Sequence, residues 1–237
     1  MAANIVVAFD LYGTLLSTDS IAEHLGKCLG SCAPSVSSLW RRYQLEYTWR
    51  LNSMEKFEDF ETVTRNALRH AAAEHGQQLS NSTIEDLMNA YNELHTFPDV
   101  GPALNRITNE QNIQSVIFSN GTTEMIAKSV QSGDLSQHAT SFSSFVSVDA
   151  VRKYKPSPST YEHLAQVVGK TPMQLGDIWL ISANPFDVAG ARNAGLNAIW
   201  IDRAAKGWQD SVSIDLKPTA IVHSLEQIVT EITTQRA

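Results

Sequence analysis

Short, continuous runs of apolar residues recur along the chain, and polar or turn-forming residues follow each run. These runs occupy residues 5–9, 114–118, 178–181, 198–201 and 220–222. Continuous rather than alternating apolar sequence is typical of strands that are covered on both faces of a sheet. Helical patterns separate the runs, at residues 122–131, 158–168, 185–194 and 224–233. This succession predicts the α/β class, with a doubly wound, Rossmann-like parallel sheet.

The segment 17–97 has a different pattern, because it contains no convincing strand and is helical throughout. Four helices are predicted in it, at residues 21–29, 36–50, 56–75 and 82–92. A stretch rich in Ser and Pro, at 31–38, predicts a loop between two of these helices. We therefore predict an α/β core domain formed by residues 1–16 and 98–237, and an inserted helical cap domain formed by residues 17–97.

The composition and net charge argue against some kinds of binding partner, namely nucleic acids and membranes. The 237 residues carry a net charge of −7, with 43% hydrophobic and 18% charged residues, which is typical of a globular protein. A net negative charge argues against non-specific nucleic-acid binding, since phosphate binding needs a basic face. No stretch approaches the about 18 apolar residues of a membrane span, and the N-terminal apolar run is too short for a signal peptide. We expect neither a nucleic-acid nor a membrane partner.

The cysteines and histidines do not indicate a metal centre. Cys28 and Cys32 stand one helical turn apart without a second pair nearby, which argues against a zinc site. Two reduced thiols are typical of an intracellular protein, and we expect a cytoplasmic one. The seven histidines show no pairing with a Ser or Cys nucleophile, and we interpret them as surface or packing residues.

Polar side chains fall at the ends of successive predicted strands. Asp10 follows the first run, Ser119 and Asn120 follow the second, and a third run is followed by Ser182, Asn184 and Asp187. Lys155 lies in a loop before a helix. Each residue taken singly is equally well explained as a helix N-cap. N-capping does not explain the set as a whole, because the carboxyl ends of parallel strands meet at one crevice, where ligands bind.

These residues also carry a resemblance to a known family. The stretch FDLYGTL at 9–15 resembles the first motif of the haloacid dehalogenase superfamily. SNG at 119–121, KP at 155–156 and SANPFD at 182–187 resemble the second, third and fourth motifs. The cap stretch WRRYQLEYTW at 40–49 is similar to that of the L-2-haloacid dehalogenases, and Tyr12 and Arg41 indicate this branch. The resemblance covers nearly the whole chain, in order.

Tyr12 bears on the choice of reaction. Most members of the superfamily are magnesium phosphohydrolases, with an Asp at this position and acids at the start of the fourth motif. This chain has Tyr12 there, and Ser182 and Ala183 in the fourth motif. Mg²⁺ prefers oxygen ligands, usually carboxylates, so we predict no metal and no cofactor. Phosphoryl transfer then lacks its main charge stabilisation, whereas a halide departs as an anion without a proton.

The resemblance implies a mechanism in two steps. Asp10 attacks C2 of an L-2-haloalkanoate or a haloacetate, which gives an ester and a free halide with inversion at C2. Water then attacks the ester, positioned or deprotonated by Asp187, and releases a D-2-hydroxy acid or glycolate. Lys155 keeps Asp10 ionised and oriented.

The resemblance also assigns the remaining site residues. Ser119 and Asn120 bind the substrate carboxylate, with backbone N–H groups at a helix N-terminus. Arg41 and Tyr12 hold the departing halide, although packing against the base of the cap also explains Tyr12. The other predicted residues are the network partners Ser182 and Asn184, Thr14 as the group that fixes the Asp10 rotamer, and an apolar wall of Leu45, Phe60 and Phe186. For Leu45 and Phe60, a place in the core of the cap explains the sequence at least as well.

Arg42, Ala183 and Phe186 depart from the dehalogenase pattern, where Gln, Ser and Trp are familiar. Rival functions are a magnesium-dependent phosphatase of the same fold, and a non-catalytic protein that binds carboxylates or a protein partner. A third alternative keeps the chemistry and changes the substrate, for example to fluoroacetate. The resemblance implies a homodimer, and Trp40, Tyr47 and Trp49 either pack the cap on itself or form a dimer face.

Overall fold

The computed structural model describes residues 5–236. Residues 1–4 and 237, which the predicted core domain includes, lie outside this range. Among the described residues, no helix is both long and apolar enough to cross a lipid bilayer.

Six parallel strands form one sheet. The strands are β1 (Ile5–Phe9), β2 (Ile113–Ser119), β3 (Ser144–Ser147), β4 (Ile178–Ser182), β5 (Asn197–Ile201) and β6 (Ala220–Val222). Their spatial order is β3-β2-β1-β4-β5-β6, so the chain reverses its winding on either side of β1. The predicted doubly wound parallel sheet is therefore confirmed, and the crevice expected at a winding reversal lies beyond the carboxyl ends of β1, β2 and β4.

Five α-helices of the described range 5–236 accompany the sheet. They are α5 (Val100–Thr108), α6 (Thr123–Ser132), α7 (Pro158–Val167), α8 (Pro185–Asn193) and α9 (Ile228–Arg236). The sequence analysis missed α5 and β3. β3 is four residues long and lies at the sheet edge, with Phe145 exposed, so it lacks the long apolar run of a central strand. Helix α5 did carry a signal, because its buried residues Val100, Ala103, Leu104 and Ile107 follow helical spacing.

Four further helices lie in the segment 17–97, which we call the cap. They are α1 (Ala22–Leu29), α2 (Ala33–Ser53), α3 (Phe60–Glu74) and α4 (Asn81–Tyr91). The loop predicted at 31–38 is wrong, because α2 begins at Ala33 and Pro34 lies in its first turn, where the missing N–H costs nothing. Helix α3 begins later than predicted, because the Asp59 side chain accepts a hydrogen bond from the Thr62 N–H and caps it.

The cap packs on itself through aromatic side chains of α2. Trp40 is buried, and its indole N–H donates to the Thr64 carbonyl at 2.7 Å. The hydroxyl of Tyr47 hydrogen-bonds to His70 Nδ1 at 2.7 Å. Of the two explanations for these aromatics, packing within the cap describes Trp40 and Tyr47. Trp49 instead points at the core and meets the ring of Phe186 edge to face, with centroids 5.4 Å apart.

Within residues 5–236, three hydrogen bonds join the cap to Tyr154, the residue before Lys155. Asn52 Nδ2 donates to the Tyr154 carbonyl at 2.7 Å, and the Tyr154 N–H donates to Asn52 Oδ1 at 2.9 Å. The hydroxyl of Tyr154 donates to the Glu58 carbonyl of the cap. Helix α2 is therefore held against the core at the residue next to Lys155.

Candidate active site

Asp10 lies directly after β1, and its carboxylate is almost fully buried. Its Oδ2 accepts hydrogen bonds from Asn184 Nδ2 at 2.7 Å and Thr14 Oγ1 at 2.8 Å, with Ser182 Oγ at 3.5 Å. Its Oδ1 accepts from Lys155 Nζ at 3.2 Å. Lys155 is the single donor to Oδ1 within residues 5–236, so Oδ1 is the oxygen with lone pairs left for an incoming group.

The turn after β1 explains how Thr14 reaches back to Asp10. The N–H groups of Leu15 and Leu16 both donate to the Leu11 carbonyl, which folds the chain sharply. Gly13 takes a φ of +85°, and a Cβ there would stand 3.5 Å from the Asn184 amide. Glycine is therefore favoured in this motif by the left-handed backbone, whereas a Cβ would make only ordinary van der Waals contact with Asn184.

Thr14 has a fixed orientation. Its hydroxyl oxygen accepts from the Ala183 N–H at 2.9 Å, which leaves its proton to donate to Asp10. The Ala183 contact is made by the backbone, so the absence of a serine side chain there removes nothing from this pair. Ser182 in turn accepts from the Asn184 N–H at 3.1 Å.

Lys155 lies between the two carboxylates of the crevice. Its ammonium donates to Asp10 Oδ1 at 3.2 Å, to Asp187 Oδ2 at 2.8 Å and to the Phe118 carbonyl at 2.8 Å. The ammonium lies 4.0 Å from the centroid of the Phe118 ring. All three of its protons thus have acceptors, and the side chain is 1% exposed.

Asp187 lies in the first turn of α8 and is fully buried. Burial raises the pKa of its carboxyl group to about 6, the Lys155 ammonium opposes that rise, and the charge of Asp10 adds to it. The Asp187 carboxylate is thus poised to exchange a proton near neutral pH.

Tyr161 is a site residue that the sequence analysis missed. Its hydroxyl donates to Asp187 Oδ1 at 2.8 Å, and burial raises its own pKa well above the usual value. Gly190 makes room for it, since a Cβ there would lie 2.3 Å from the Tyr161 oxygen. In sequence Tyr161 is an ordinary aromatic residue inside α7, and only the packing of α7 on α8 reveals its contact.

Arg41 reaches the crevice from the cap helix α2. Its Nη2 donates to the Tyr12 carbonyl at 3.2 Å and to Asn184 Oδ1 at 3.3 Å. Its Nη1 donates to Gln44 Oε1 at 2.6 Å. In the described part of the chain, no carboxylate forms an ion pair with Arg41. Asn184 therefore connects a cation of the cap to the Asp10 carboxylate, and the guanidinium charge is not cancelled by a direct partner.

Tyr12 is buried beneath the cap. Its ring lies 5.7 Å from that of Phe60 and 5.3 Å from that of Tyr91, so it packs against the cap base, as one of the two explanations predicted. Its hydroxyl is buried beside that of Ser129 and makes no hydrogen bond of good geometry. Burial raises the pKa of this phenol, which keeps its proton. The Tyr12 hydroxyl therefore has a proton for which residues 5–236 provide no acceptor of good geometry.

The residues after β2 face the same crevice. Asn120 Oδ1 accepts from the Lys155 N–H at 3.0 Å, which joins the second motif to the third. The Asn120 amide N–H groups have no acceptor among residues 5–236. Ser119 Oγ accepts from the Gly121 N–H at 3.0 Å and is fully buried. Among residues 5–236, the Asn120 amide protons and the Ser119 hydroxyl proton are therefore all without an acceptor.

The predicted apolar residues lie in different settings. Phe60 is buried and stacks on Tyr12, so its place is the base of the cap. Leu45 is half-buried, one turn after Arg41 on the face of α2 that meets the core. Phe186 is half-buried at its contact with Trp49. Arg42 is exposed and lies over the ring of Tyr43, so it is turned away from Asp10.

The oxygen atoms around Asp10 do not form a suitable ligand set for a divalent cation, because they already accept hydrogen bonds. Asp10 Oδ2 already has three donors, and the Tyr12 carbonyl accepts from both Asn184 and Arg41. A cation at these oxygens would meet the Arg41 guanidinium. The described residues also contain no group of three His, Cys, Asp or Glu side chains that could hold a metal ion. None of the histidines among them hydrogen-bonds to Asp10, Lys155 or Asp187.

Comparison with known proteins adds to this geometry. A family model for haloacid dehalogenase-like hydrolases matches residues 6–195. The chain is 33% identical to an (S)-2-haloacid dehalogenase of Xanthobacter autotrophicus over 89% of this chain and 78% of that protein. It is 30% identical to (S)-2-haloacid dehalogenase 1 of Pseudomonas sp. strain CBS-3, over 95% and 96% of the two chains. It is also similar to the solved L-2-haloacid dehalogenase of X. autotrophicus with covalently bound chloropropionic acid, with a TM-score of 0.85, 27% identity, and 96% and 98% of the two chains covered.

Proposed function

The chain belongs to the haloacid dehalogenase-like hydrolases, and from this membership we propose that it is a hydrolase acting on carbon–halide bonds. It converts L-2-haloalkanoic acids to D-2-hydroxy acids, and haloacetates to glycolate, with release of halide. The observation that carries this proposal is the pairing of a buried carboxylate, Asp10, with a cation, Arg41, that no carboxylate among residues 5–236 neutralises. The curated (S)-2-haloacid dehalogenases that resemble the chain over most of its length support the same reaction.

In the first step Asp10 is the nucleophile. Its Oδ1 attacks C2 opposite the carbon–halogen bond, a C–O bond forms, and the halide leaves with the bonding electron pair. Thr14, Asn184 and Ser182 hold Oδ2, so the carboxylate is oriented before substrate arrives. Attack from the side opposite the halogen inverts C2. The covalently bound chloropropionic acid in a solved relative supports a covalent intermediate.

The departing halide needs donors and positive charge. Arg41 supplies the charge, and the Tyr12 hydroxyl supplies a proton donor that has no acceptor of its own. The substrate carboxylate is a second anion and needs a separate place. The free amide N–H groups of Asn120, with Ser119 and the backbone at the start of α6, supply it.

In the second step water attacks Cγ of the Asp10 ester. The acyl C–O bond breaks, the hydroxy acid leaves, and the new oxygen stays on Asp10. The attacking water gives up a proton to Asp187, this proton passes to the departing alkoxide oxygen, and the proton left on the Asp10 carboxyl group is lost to solvent. Burial raises the pKa of Asp187, which favours its role as a base. Lys155 links Asp187 to Asp10 through one hydrogen bond to each carboxylate.

We also propose that no metal takes part. The oxygens that a magnesium ion would need already have protein donors, and Arg41 stands against them. The same arrangement speaks against the phosphatase alternative, which needs charge stabilisation of a transferring phosphoryl group.

Assembly and cellular location are further parts of the proposal. Residues 17–97 form the cap domain, and the protein is a cytoplasmic homodimer. The free thiols of Cys28 and Cys32 support an intracellular location.

Chloride release is the direct test of this function. The purified protein is incubated in EDTA with L-2-chloropropionate, D-2-chloropropionate and chloroacetate. We expect chloride from the L isomer and from chloroacetate, with no effect of EDTA. Magnesium-dependent phosphate release from a phosphomonoester, with no chloride in EDTA, would instead identify a phosphatase.

Water labelled with ¹⁸O tests the ester. In a single turnover the label should enter Asp10 and not the hydroxy acid, because water attacks Cγ. Label that appears directly in the product would mean that water attacks C2.

A further inference from the structure

Of the hydrogen bonds that Arg41 donates within residues 5–236, the one to Gln44 is the shortest. Gln44 Oε1 accepts from Arg41 Nη1 at 2.6 Å, and the Gln44 amide is 1% exposed. We propose that Gln44 is a positioning residue, which aims the Arg41 guanidinium at the departing halide without cancelling its charge. This inference rests on the proposed dehalogenation and assigns a role to a residue outside the four sequence motifs.

The orientation of the Gln44 amide follows from its other partners. The hydroxyl of Thr64 has one proton, which it donates to the Phe60 carbonyl at 2.6 Å. The Thr64 oxygen can then only accept, and it accepts from Gln44 Nε2 at 2.7 Å. With its NH₂ group committed to Thr64, Gln44 must turn its oxygen toward Arg41.

Three helices of the cap hold this amide in place. Gln44 lies on α2, Thr64 on α3 and Tyr91 on α4. The Tyr91 hydroxyl lies 3.0 Å from Gln44 Nε2 and 3.1 Å from Gln44 Oε1. The indole of Trp40 donates to the Thr64 carbonyl and fixes the neighbouring turn of α3. Such a buried, fully bonded network holds a side chain in one geometry.

A neutral acceptor suits a halide site better than a carboxylate would. A glutamate at this position has the same shape, but it would form an ion pair with Arg41 and compete with the halide for the guanidinium. An apolar residue would leave Arg41 Nη1 unbonded and free to swing. Glutamine orients the cation and leaves its charge for the leaving group, whose negative charge grows as the carbon–halogen bond breaks.

This role predicts an effect confined to halide departure. The variants Q44E and Q44M should lower the single-turnover rate of chloride release from L-2-chloropropionate by about ten- to a hundredfold, a loss toward the lower end of that seen on removing an electrostatic donor from a site. The loss should be smaller for L-2-bromopropionate, because bromide leaves more readily and needs less stabilisation. Hydrolysis of the preformed ester should keep its rate.

Bromide binding gives a readout that needs no turnover. Titration calorimetry with sodium bromide should show binding to the wild-type protein, and Q44E should weaken it at least tenfold. The matched control is T48A, one turn further along α2, since Thr48 is equally buried and its hydroxyl bonds only to the Leu45 carbonyl. T48A should bind bromide and release both halides as the wild type does, and thermal melting shows whether each variant is folded.

Three results would overturn the inference. One is an equal loss with both leaving groups in a folded Q44E, and another is unchanged bromide affinity in Q44E. The third is absence of bromide binding in the wild type. Failure of the proposed function looks different: the wild type would then release no halide from any substrate, and the bromide titration would still decide whether Gln44 controls an anion site at Arg41.

Discussion

The core half of the site, around Asp10, and the cap half, around Arg41, hold their charges in different ways. In the core half, Lys155 lies between Asp10 and Asp187, and each carboxylate is within hydrogen-bonding distance of the ammonium. In the cap half, Arg41 contacts the neutral acceptors Gln44, Asn184 and the Tyr12 carbonyl. In the core half one cation is shared by two carboxylates, whereas in the cap half the Arg41 cation has no carboxylate partner among residues 5–236.

The difference separates two tasks. A nucleophile must be held in one orientation before the substrate binds, and a buried ion-paired cluster does so because its members lose little by staying in place. A leaving group appears only during the reaction, so we expect its donor to keep a positive charge that no carboxylate neutralises until then. We propose that Arg41 acts on the transition state, whereas Lys155 also stabilises the folded state.

Replacement of Lys155 by Met should have the largest effect. Two carboxylates would remain buried without a cation, so the free energy of unfolding should fall by about 3–5 kcal/mol and halide release should be lost. Urea denaturation and chloride assays measure the two effects. Lys128→Met on the exposed side of α6 is the control, with no change expected. A Lys155 variant as stable as the wild type would contradict the structural part of its role.

Replacement of Arg41 by Met should separate activity from stability. Halide release should fall by about 10²–10³-fold, as for removal of a transition-state donor. Stability should change by only about 1 kcal/mol, because the lost hydrogen bonds join a half-exposed side chain to neutral acceptors. Arg42→Met, the exposed neighbour on the same helix, should keep full activity. A destabilisation as large as that of the Lys155 variant would remove the distinction between the two halves.

The pH dependence of kcat, compared between the wild type and the Tyr161→Phe variant, tests whether Asp187 is the general base. Asp187 must be ionised to accept a proton, and its pKa lies at about 6, so kcat should fall as the pH drops below that value. The Tyr161 hydroxyl stabilises the ionised form. Without it, the acidic limb should move to higher pH and kcat at pH 7 should drop about tenfold.

Tyr47→Phe, which removes a hydroxyl bonded to His70 within the cap, is the control for Tyr161→Phe. Its pH profile should match that of the wild type. An acidic limb that stays in place in the Tyr161 variant would mean that another group controls the second step.

Asn52→Ala should have the smallest effect. It weakens the contact between α2 and the Tyr154 backbone, and it removes neither Arg41 nor Lys155. The two hydrogen bonds to the Tyr154 backbone are lost, at a cost of about 1–2 kcal/mol in total. We expect KM to rise a few-fold with kcat nearly unchanged, measured by steady-state chloride release. Ser53→Ala, exposed and next in sequence, is the matched control. A large loss of kcat would show that the contact between Asn52 and Tyr154 also aligns the reacting groups.

Much of the fold and of the core half was accessible from the sequence. Continuous apolar runs mark buried parallel strands, and β1 was predicted with its observed bounds. Asp10 follows β1, Ser182 ends β4 and Asn184 lies two residues later, so parallel topology alone brings them together. Helix boundaries were less accessible. The start of α2 was misplaced, since the Pro and Ser residues at 34–38 suit a first helical turn as well as a loop.

What the sequence determined by itself is the inventory of the candidate site: the aspartate proposed as the nucleophile, a lysine, and a tyrosine and a serine where, by the resemblance, a magnesium hydrolase has acids. What only the tertiary structure decided is which of these groups face one another. Lys155 meets both carboxylates, Tyr161 meets Asp187, and Gln44 meets Thr64 and Tyr91 of two other helices. These contacts depend on how helices far apart in the chain pack, and packing geometry is a property of the whole core rather than of any local pattern.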